Sequence, residues 1–255
     1  MRLLFLGDLV GSCGRKAVTN SVPRLRDQMR LDYLVVNGEN VAGGRGITAR
    51  IADELFDCGV DVISGGNHTF QYRDVYTYLD ETAAILRPAN YPPGAPGHGM
   101  VELPGLTVIN LIGRTFMGSD YDDPFRAADT LIASARAGNA VMVDFHAEAT
   151  SEKQALGWYL DGRASFVVGT HTHVPTADQR ILPRGTAYCS DAGMCGARDS
   201  VIGDDADAVV QKFLTQMPTK LPPAEGVAVI NGVFVEIDDS TGMARSISRC
   251  DHVLE

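Results

Sequence analysis

Short apolar runs alternate along the chain with stretches whose apolar positions recur at helical spacing. The runs LLFLG, YLVVNG, VDVISGG, AVMVDFH and SFVVGTH are apolar at consecutive positions, not at every second one. Both faces of such a pleat are buried, which predicts central parallel strands covered on both sides. TARIADELFDCG predicts a helix with Thr48 at its N-cap and Gly59 as its stop. SEKQALGWYLDG predicts a second, with Ser151 and Gln154 at capping-box spacing and Gly162 closing it. DDPFRAADTLIASARAG predicts a third, with Pro124 at the first helical position and an end at Gly138. Strands alternating with helices predict an α/β protein. Two segments break the pattern. GMVELPGLTVINLIG, turning at Pro104-Gly105, and GVAVINGVFVEIDDSTGMARSISRC, turning through DDSTG, predict antiparallel hairpins. Two packed sheets with helices outside fit this mixture, as does one large mixed sheet. No repeat or low-complexity linker interrupts the chain, so residues 1–255 read as a single domain.

Charge narrows the function classes. The formal net charge is -10 over 255 residues, which argues against a general binder of duplex nucleic acid. A small anionic substrate stays compatible, because bound cations invert the local field. The five cysteines (Cys13, Cys58, Cys189, Cys195 and Cys250) are odd in number and contain no CxxC pair. They read as reduced thiols of a cytoplasmic protein. In MRLLFLGDLVG the apolar run stops at Gly7-Asp8, too early for a signal peptide or a membrane span. No membrane association is expected, and a homo-oligomer is compatible with the sequence.

The informative feature is the polar residue that ends each apolar run. Asp8 ends the first, Glu39 and Asn40 the second, Asn67 and His68 the third. His146 ends DFH, and His171 and His173 end GTHTH. In an open parallel sheet the carboxyl ends of strands share one edge, where ligands bind. Each residue alone has an ordinary reading: Asp8 as a helix cap, Asn67 as a turn residue, His146 as a core histidine. Together they place four of the six histidines at strand ends. Carboxylate oxygen, amide oxygen and imidazole nitrogen suit iron, manganese, zinc or cobalt. The lack of cysteine among them argues against a structural zinc site or an iron–sulfur cluster. Three imidazoles argue against magnesium or calcium. Seven protein ligands are too many for one ion that must also admit substrate. Two ions sharing a bridging carboxylate use them, and such pairs hold a hydroxide and clamp a phosphoryl group.

The ordered motifs GD, GEN, GGNH, DFH and GTHTH resemble those of the calcineurin-like metallophosphoesterases. That family runs D-x-H, a bridging acid, G-N-H, a single His and G-H-x-H, and the match spans Asp8 to His173. Two departures stand out. Val10 occupies the place of the first motif's His, and Glu39 replaces the usual Asp and is followed by Asn40. The G-D-x-V-G, G-E-N and G-N-H combination, with RPANYPPG, NLIGRTFM and SDAGM, is similar to the YmdB-type phosphodiesterase subfamily. The resemblance implies a four-layer αββα sandwich of two mixed sheets flanked by helices. It implies that Glu39 bridges two transition-metal ions, with iron expected first, manganese next and zinc third. Asp8, Asn40 and His173 would complete one shell; Asn67, His146 and His171 the other. The expected reaction is hydrolysis of a small phosphodiester or nucleotide, with 2',3'-cyclic nucleotides favoured. In that reading a metal-bridging hydroxide attacks phosphorus and His68 acts as general acid. A phosphomonoesterase or nucleotidase on the same centre, and a metal-loaded signalling module, are the alternatives. A binuclear amidohydrolase ranks below them, because H-x-H comes late and eight βα units are not seen.

Other residues are less telling. AGGRG, Ala42 to Gly46, could bring backbone amides and Arg45 near a phosphate, although a turn leading into the Thr48 helix is the favoured role. It is not a P-loop. Arg114 and Phe116 could contact substrate or fill a loop. Met194 is expected on a Gly-rich loop bordering the site or packed in the core. Trp158 is expected as a core anchor. His98 and His252 are given no role.

Overall fold

Strand β1 (Arg2–Leu9) is buried at every position after its first and leads directly into helix α1 (Gly11–Met29). The computed structural model describes residues 1–254. Strand β2 (Tyr33–Asn37), helix α2 (Ala49–Asp57), strand β3 (Val62–Ser64) and helix α3 (Val75–Glu81) follow. Next come the hairpin β4 (Met100–Leu103) and β5 (Leu106–Ile112), then α4 (Pro124–Ser134), β6 (Ala140–His146), α5 (Thr150–Leu160) and β7 (Phe166–Thr170). The chain continues through β8 (Arg180–Ile181), β9 (Ala187–Cys189), β10 (Met194–Ala197) and α6 (Ala206–Thr215). It closes with β11 (Ala228–Ile230), β12 (Gly232–Ile237), β13 (Ala244–Arg249) and β14 (His252–Leu254).

The strands form two mixed sheets. In the first, β1 pairs in parallel with β2 and β10 and antiparallel with β12, and β2 pairs in parallel with β3. The second runs β4-β5-β6-β7-β9-β8, parallel from β5 to β9 with antiparallel edge strands. Alternation along each strand assigns side chains to layers. Leu3, Phe5, Val35 and Val233 of the first sheet pack with Val108, Met142, Phe166 and Val168 of the second. The opposite faces look outward to helices. Leu4, Leu6, Leu34 and Val36 pack on Val18 and Val22 of α1 and Ile51 and Leu55 of α2. Ile109, Val143 and Val167 pack on Ala128 of α4 and Leu156 and Leu160 of α5. The result is the αββα sandwich. Among the described residues no helix is long and apolar enough to cross a membrane.

Local signals behave unevenly. Thr48 caps α2 by accepting from the Ile51 amide, and Asp123 caps α4 with Pro124 at its first position. Both hairpins form. Helix α5, however, starts at Thr150 with Ala149 at its cap and no side-chain cap, so Ser151 lies inside the first turn. Helix α4 stops at Ser134, before the Gly138 expected to end it. Trp158 is no core anchor: it is half exposed, with the Arg180 guanidinium over its ring at 5.4 Å from the centroid. Met194 belongs to β10 and is buried, because its segment pairs with β1 and does not loop freely.

Candidate metal centre

The five strand ends do not lie on one open sheet. Those of β1, β2 and β3 belong to the first sheet and those of β6 and β7 to the second. Stacking the sheets brings the two sets together. Asp8 follows a register shift in β1 and pairs with Asn37 of β2 and Met194 of β10. It is fully buried; one oxygen, Oδ2, accepts the His171 amide at 3.1 Å, while Oδ1 has no hydrogen-bond partner. Glu39 is held by a tight turn, its amide donating to Asn37 Oδ1 at 3.1 Å. Its Oε2 accepts the His68 amide at 3.0 Å.

Donor atoms crowd around His146 Nε2. Asn67 Oδ1 lies at 2.9 Å, His171 Nδ1 at 3.0 Å and Glu39 Oε1 at 3.2 Å. A second group surrounds Asp8 Oδ1, with His173 Nε2 at 3.9 Å and His146 Nδ1 at 3.8 Å. Asp8, Glu39, Asn67, His68, His146, His171 and His173 thus form one continuous set of contacts. The Asn40 side chain makes no hydrogen bond to any of them: its Nδ2 donates to Gly44 O at 3.1 Å, leaving a buried Oδ1 without a partner. Gly66 is forced by this crowding, since a Cβ there would run into Glu39 Oε2 and His146 Nε2.

Each histidine is oriented through its far nitrogen. His146 Nδ1 donates to Thr170 Oγ1 at 3.0 Å, and that hydroxyl donates to Asp144 Oδ1 at 2.8 Å. His171 Nε2 faces Glu148 Oε2 at 3.1 Å. His173 Nδ1 donates to the Ile202 carbonyl at 2.7 Å. The other nitrogens, Nε2 of His146, Nδ1 of His171 and Nε2 of His173, are thereby left to present lone pairs to the centre. A histidine that ligates a metal is held this way, by a carboxylate, carbonyl or hydroxyl at its distal nitrogen. Buried oxygens without partners, Asp8 Oδ1 and Asn40 Oδ1, would cost about 1–3 kcal/mol each if left so. A cation removes that cost and separates the facing lone pairs. The residues therefore fit transition-metal ions; Glu39, His146 and His171 alone offer three ligand atoms within 4.8 Å of one another.

Without a cation, a proton takes its place. Burial pushes the His146 pKa down, but the Glu39 carboxylate outweighs it and raises the value to about 9. Burial and the neighbouring His146 charge push His171 down to about 3. Burial raises Asp8 to about 6 against the pull of His173 and His146. His146 therefore stays protonated through neutral pH, and its proton must leave when a metal binds. Apparent metal affinity is expected to rise with pH up to about 9 and then level, with proton release on uptake. Manganese titrations of chelator-treated protein at several pH values, in weakly buffered solution, check this. An affinity flat from about pH 6 to about 9 contradicts it.

Several supporting residues escape sequence reasoning. Asp144 is fully buried and accepts from Thr170, from Ser64 Oγ at 2.5 Å and from Asn37 Nδ2 at 3.0 Å. It therefore ties the two sheets together directly beneath the centre. Asp191 accepts from Lys153 Nζ at 2.7 Å, Thr172 Oγ1 at 2.6 Å and the Gly193 amide at 2.8 Å. This clamps the residue between His171 and His173. Those two histidines adopt φ of +95° and +64°, a region non-glycine residues seldom occupy. Gly169 has no such φ; it is needed because a Cβ there would strike the Ser190 carbonyl. The available signals were an acid inside an apolar run, Asp144 in AVMVDFH, and Glu148 shortly after His146. Arg114 pairs with Asp123 at 2.9 Å and Phe116 is largely exposed.

Known proteins share this sequence and this fold. The family model for YmdB-like proteins matches residues 4–250. A Bacillus subtilis (strain 168) protein named 2',3'-cyclic-nucleotide 2'-phosphodiesterase is 48% identical over 254 residues, covering 98% of this chain and 96% of its own. The crystal structure of a hypothetical protein from Thermus thermophilus superposes with a TM-score of 0.93 at 43% identity, covering 100% of both chains. That of a novel phosphatase from Mycoplasma pneumoniae gives a TM-score of 0.93 at 33% identity, covering 99% of this chain and 93% of that one. With a family model matched across nearly its whole length and relatives aligned end to end, the chain belongs to the YmdB-like family.

Proposed function

We propose that the chain is a binuclear metal-dependent phosphodiesterase that hydrolyses small phosphodiesters, with 2',3'-cyclic nucleotides as the preferred class. The observation that carries this reading is the crowding of ligand-type atoms around two adjoining points, one at His146 Nε2 and one at Asp8 Oδ1. Asn67 Oδ1, His146 Nε2 and His171 Nδ1 converge with Glu39 Oε1 on one side. On the other, Asp8 Oδ1 stands near His173 Nε2, and Asn40 Oδ1 is buried without a partner in the residue next to Glu39. Glu39 would bridge, Asp8, Asn40 and His173 would hold one ion, and Asn67, His146 and His171 the other. Iron is the expected metal, with manganese and then zinc behind it. The name of the Bacillus subtilis relative supports the substrate class.

When bound, the ions supply a hydroxide-like nucleophile at neutral pH and neutralise charge on the phosphoryl oxygens. The chain's own residues do the rest. Glu39 balances cationic charge at the centre. His68, its backbone fixed on Glu39 Oε2 and its Nε2 3.2 Å from Asn67 Nδ2, holds an imidazole at the rim. It is half-buried, and it would give a proton to the departing alkoxide. The test is the order of kcat/KM on 2',3'-cyclic nucleotides, 3',5'-cyclic nucleotides and mononucleotides, using metal-loaded protein. The reading predicts that order. Mononucleotides ahead of both cyclic classes would make the chain a phosphomonoesterase on the same centre.

A further inference from the structure

The AGGRG turn has no part in the donor set, yet it forms one wall of a cleft beside it. The cleft has a volume of about 290 Å³ and is lined by Gly43, Gly44, Arg45, Lys212, Thr219 and Lys220, with Leu221 at its edge. All three charged residues in that lining are cations, and all three are exposed. Among the described residues none of them forms an ion pair. In a chain of net charge -10, an unpaired cluster of this kind reverses the field locally. Gly43 and Gly44 have φ of +64° and +91°, and among the described residues their amides have no hydrogen-bond acceptor. Successive amides in such a turn form an anion-binding concavity.

The cleft joins the proposed centre by direct contact. The Gly44 carbonyl accepts from Nδ2 of Asn40, the side chain whose unpartnered Oδ1 the proposed assignment gives to the ion of Asp8 and His173. A second groove of about 310 Å³ shares Lys212 and Leu221 with the cleft and adds the apolar side chains of Ile202, Val209 and Phe213. Its Ile202 carbonyl is the group that orients His173. Asp204 lines this groove, and among the described residues it forms no ion pair with any of the three cations.

We infer that the cleft of Arg45, Lys212 and Lys220 binds a second phosphate of the substrate, one nucleoside away from the phosphodiester that is cleaved. The preferred substrate is therefore a 5'-phosphorylated nucleotide or short oligonucleotide ending in a 2',3'-cyclic phosphate, with its base against the Phe213 groove. This rests on the phosphodiesterase reading and deepens it.

The kinetic readout is the ratio of kcat/KM for a 2',3'-cyclic nucleotide bearing a 5'-phosphate to that for its 5'-hydroxyl counterpart. Charge-assisted contacts predict a ratio of roughly ten or more in the wild type, falling as salt is raised. Arg45→Ala/Lys212→Ala/Lys220→Ala should bring it close to one. A wild-type ratio near one, or a ratio that survives the triple substitution, overturns the inference. Equilibrium binding of adenosine 3',5'-bisphosphate to metal-loaded wild type and triple variant reads the cleft even if no cyclic phosphodiester is turned over. Binding weakened roughly tenfold in the variant supports the cleft, and equal binding overturns it. Weakened binding together with an active enzyme whose kinetic ratio is one also overturns it, because the cleft then serves a separate anion. Failure of the phosphodiesterase reading alone shows as no turnover with the binding difference intact.

Discussion

Glu39→Ala is expected to strip metal from both positions and to abolish measurable phosphodiester hydrolysis. Losing even an outer partner of a ligand typically costs roughly 10–100-fold in metal affinity, and a bridging acid should cost more at each ion. The electrostatics point the same way. Burial raises the Glu39 pKa, but the His146 charge and hydrogen bond, with help from His68, bring it down to about 2. It is therefore a carboxylate at every working pH, and the principal negative charge against His146. Asn40→Ala provides the contrast. In the proposed assignment its buried, unpartnered oxygen would stand in for a histidine at Val10, so its loss should weaken mainly the ion that Asp8 and His173 would hold. Metal content per chain, measured after gel filtration of each variant, separates the cases. Equal loss of both ions in the two variants would mean that Asn40 is misassigned.

The second large effect is at His68. His68→Ala should leave metal content intact and lower turnover of substrates with alkyl leaving groups by roughly 10²–10⁴-fold. Nitrophenolate esters should scarcely respond, because that leaving group needs no proton. The pH profile adds a sign. Burial lowers the His68 pKa below the ordinary 6.5, and Arg45, His146 and His173 add to that against the opposing pull of Glu39. The protonated acid is thus the form favoured at low pH. Turnover of alkyl esters should fall as pH rises through this lowered value, relative to nitrophenolate esters measured in parallel. Normal turnover of alkyl esters by the variant would remove His68 from the chemistry.

The residues at strand ends were the part most open to reading from the sequence. An apolar run that stops at Asp8, Glu39 or His146 shows its polar residue plainly, because consecutive burial makes the change abrupt. The same runs marked the parallel strands, and the PG and DDSTG turns marked the hairpins. Partners between distant segments were hidden. No local pattern places Ser64 and Asn37 on Asp144, or Lys153 on Asp191, since those pairs cross from one element or sheet to another. Helix α1 is not among the helices predicted from the sequence; Gly11, Gly14 and Pro23, residues of weak helix propensity, lie within it. There, packing of Val18 and Val22 on the first sheet outweighs weak local propensity. Strand β10 was obscured by glycine and cysteine in SDAGMCG, where pairing with Asp8 and Leu9 of β1 decides the conformation. The cationic cleft depends on Arg45 and Lys220 meeting from opposite parts of the chain.

The measurement that bears most directly on the central claim is metal analysis of anaerobically purified protein, with phosphodiesterase activity assayed on the same sample. The account predicts two transition-metal ions per chain, iron foremost, activity on 2',3'-cyclic nucleotides that is lost on chelation, and recovery on adding metal back. Protein that retains full activity with one ion or none per chain would contradict it.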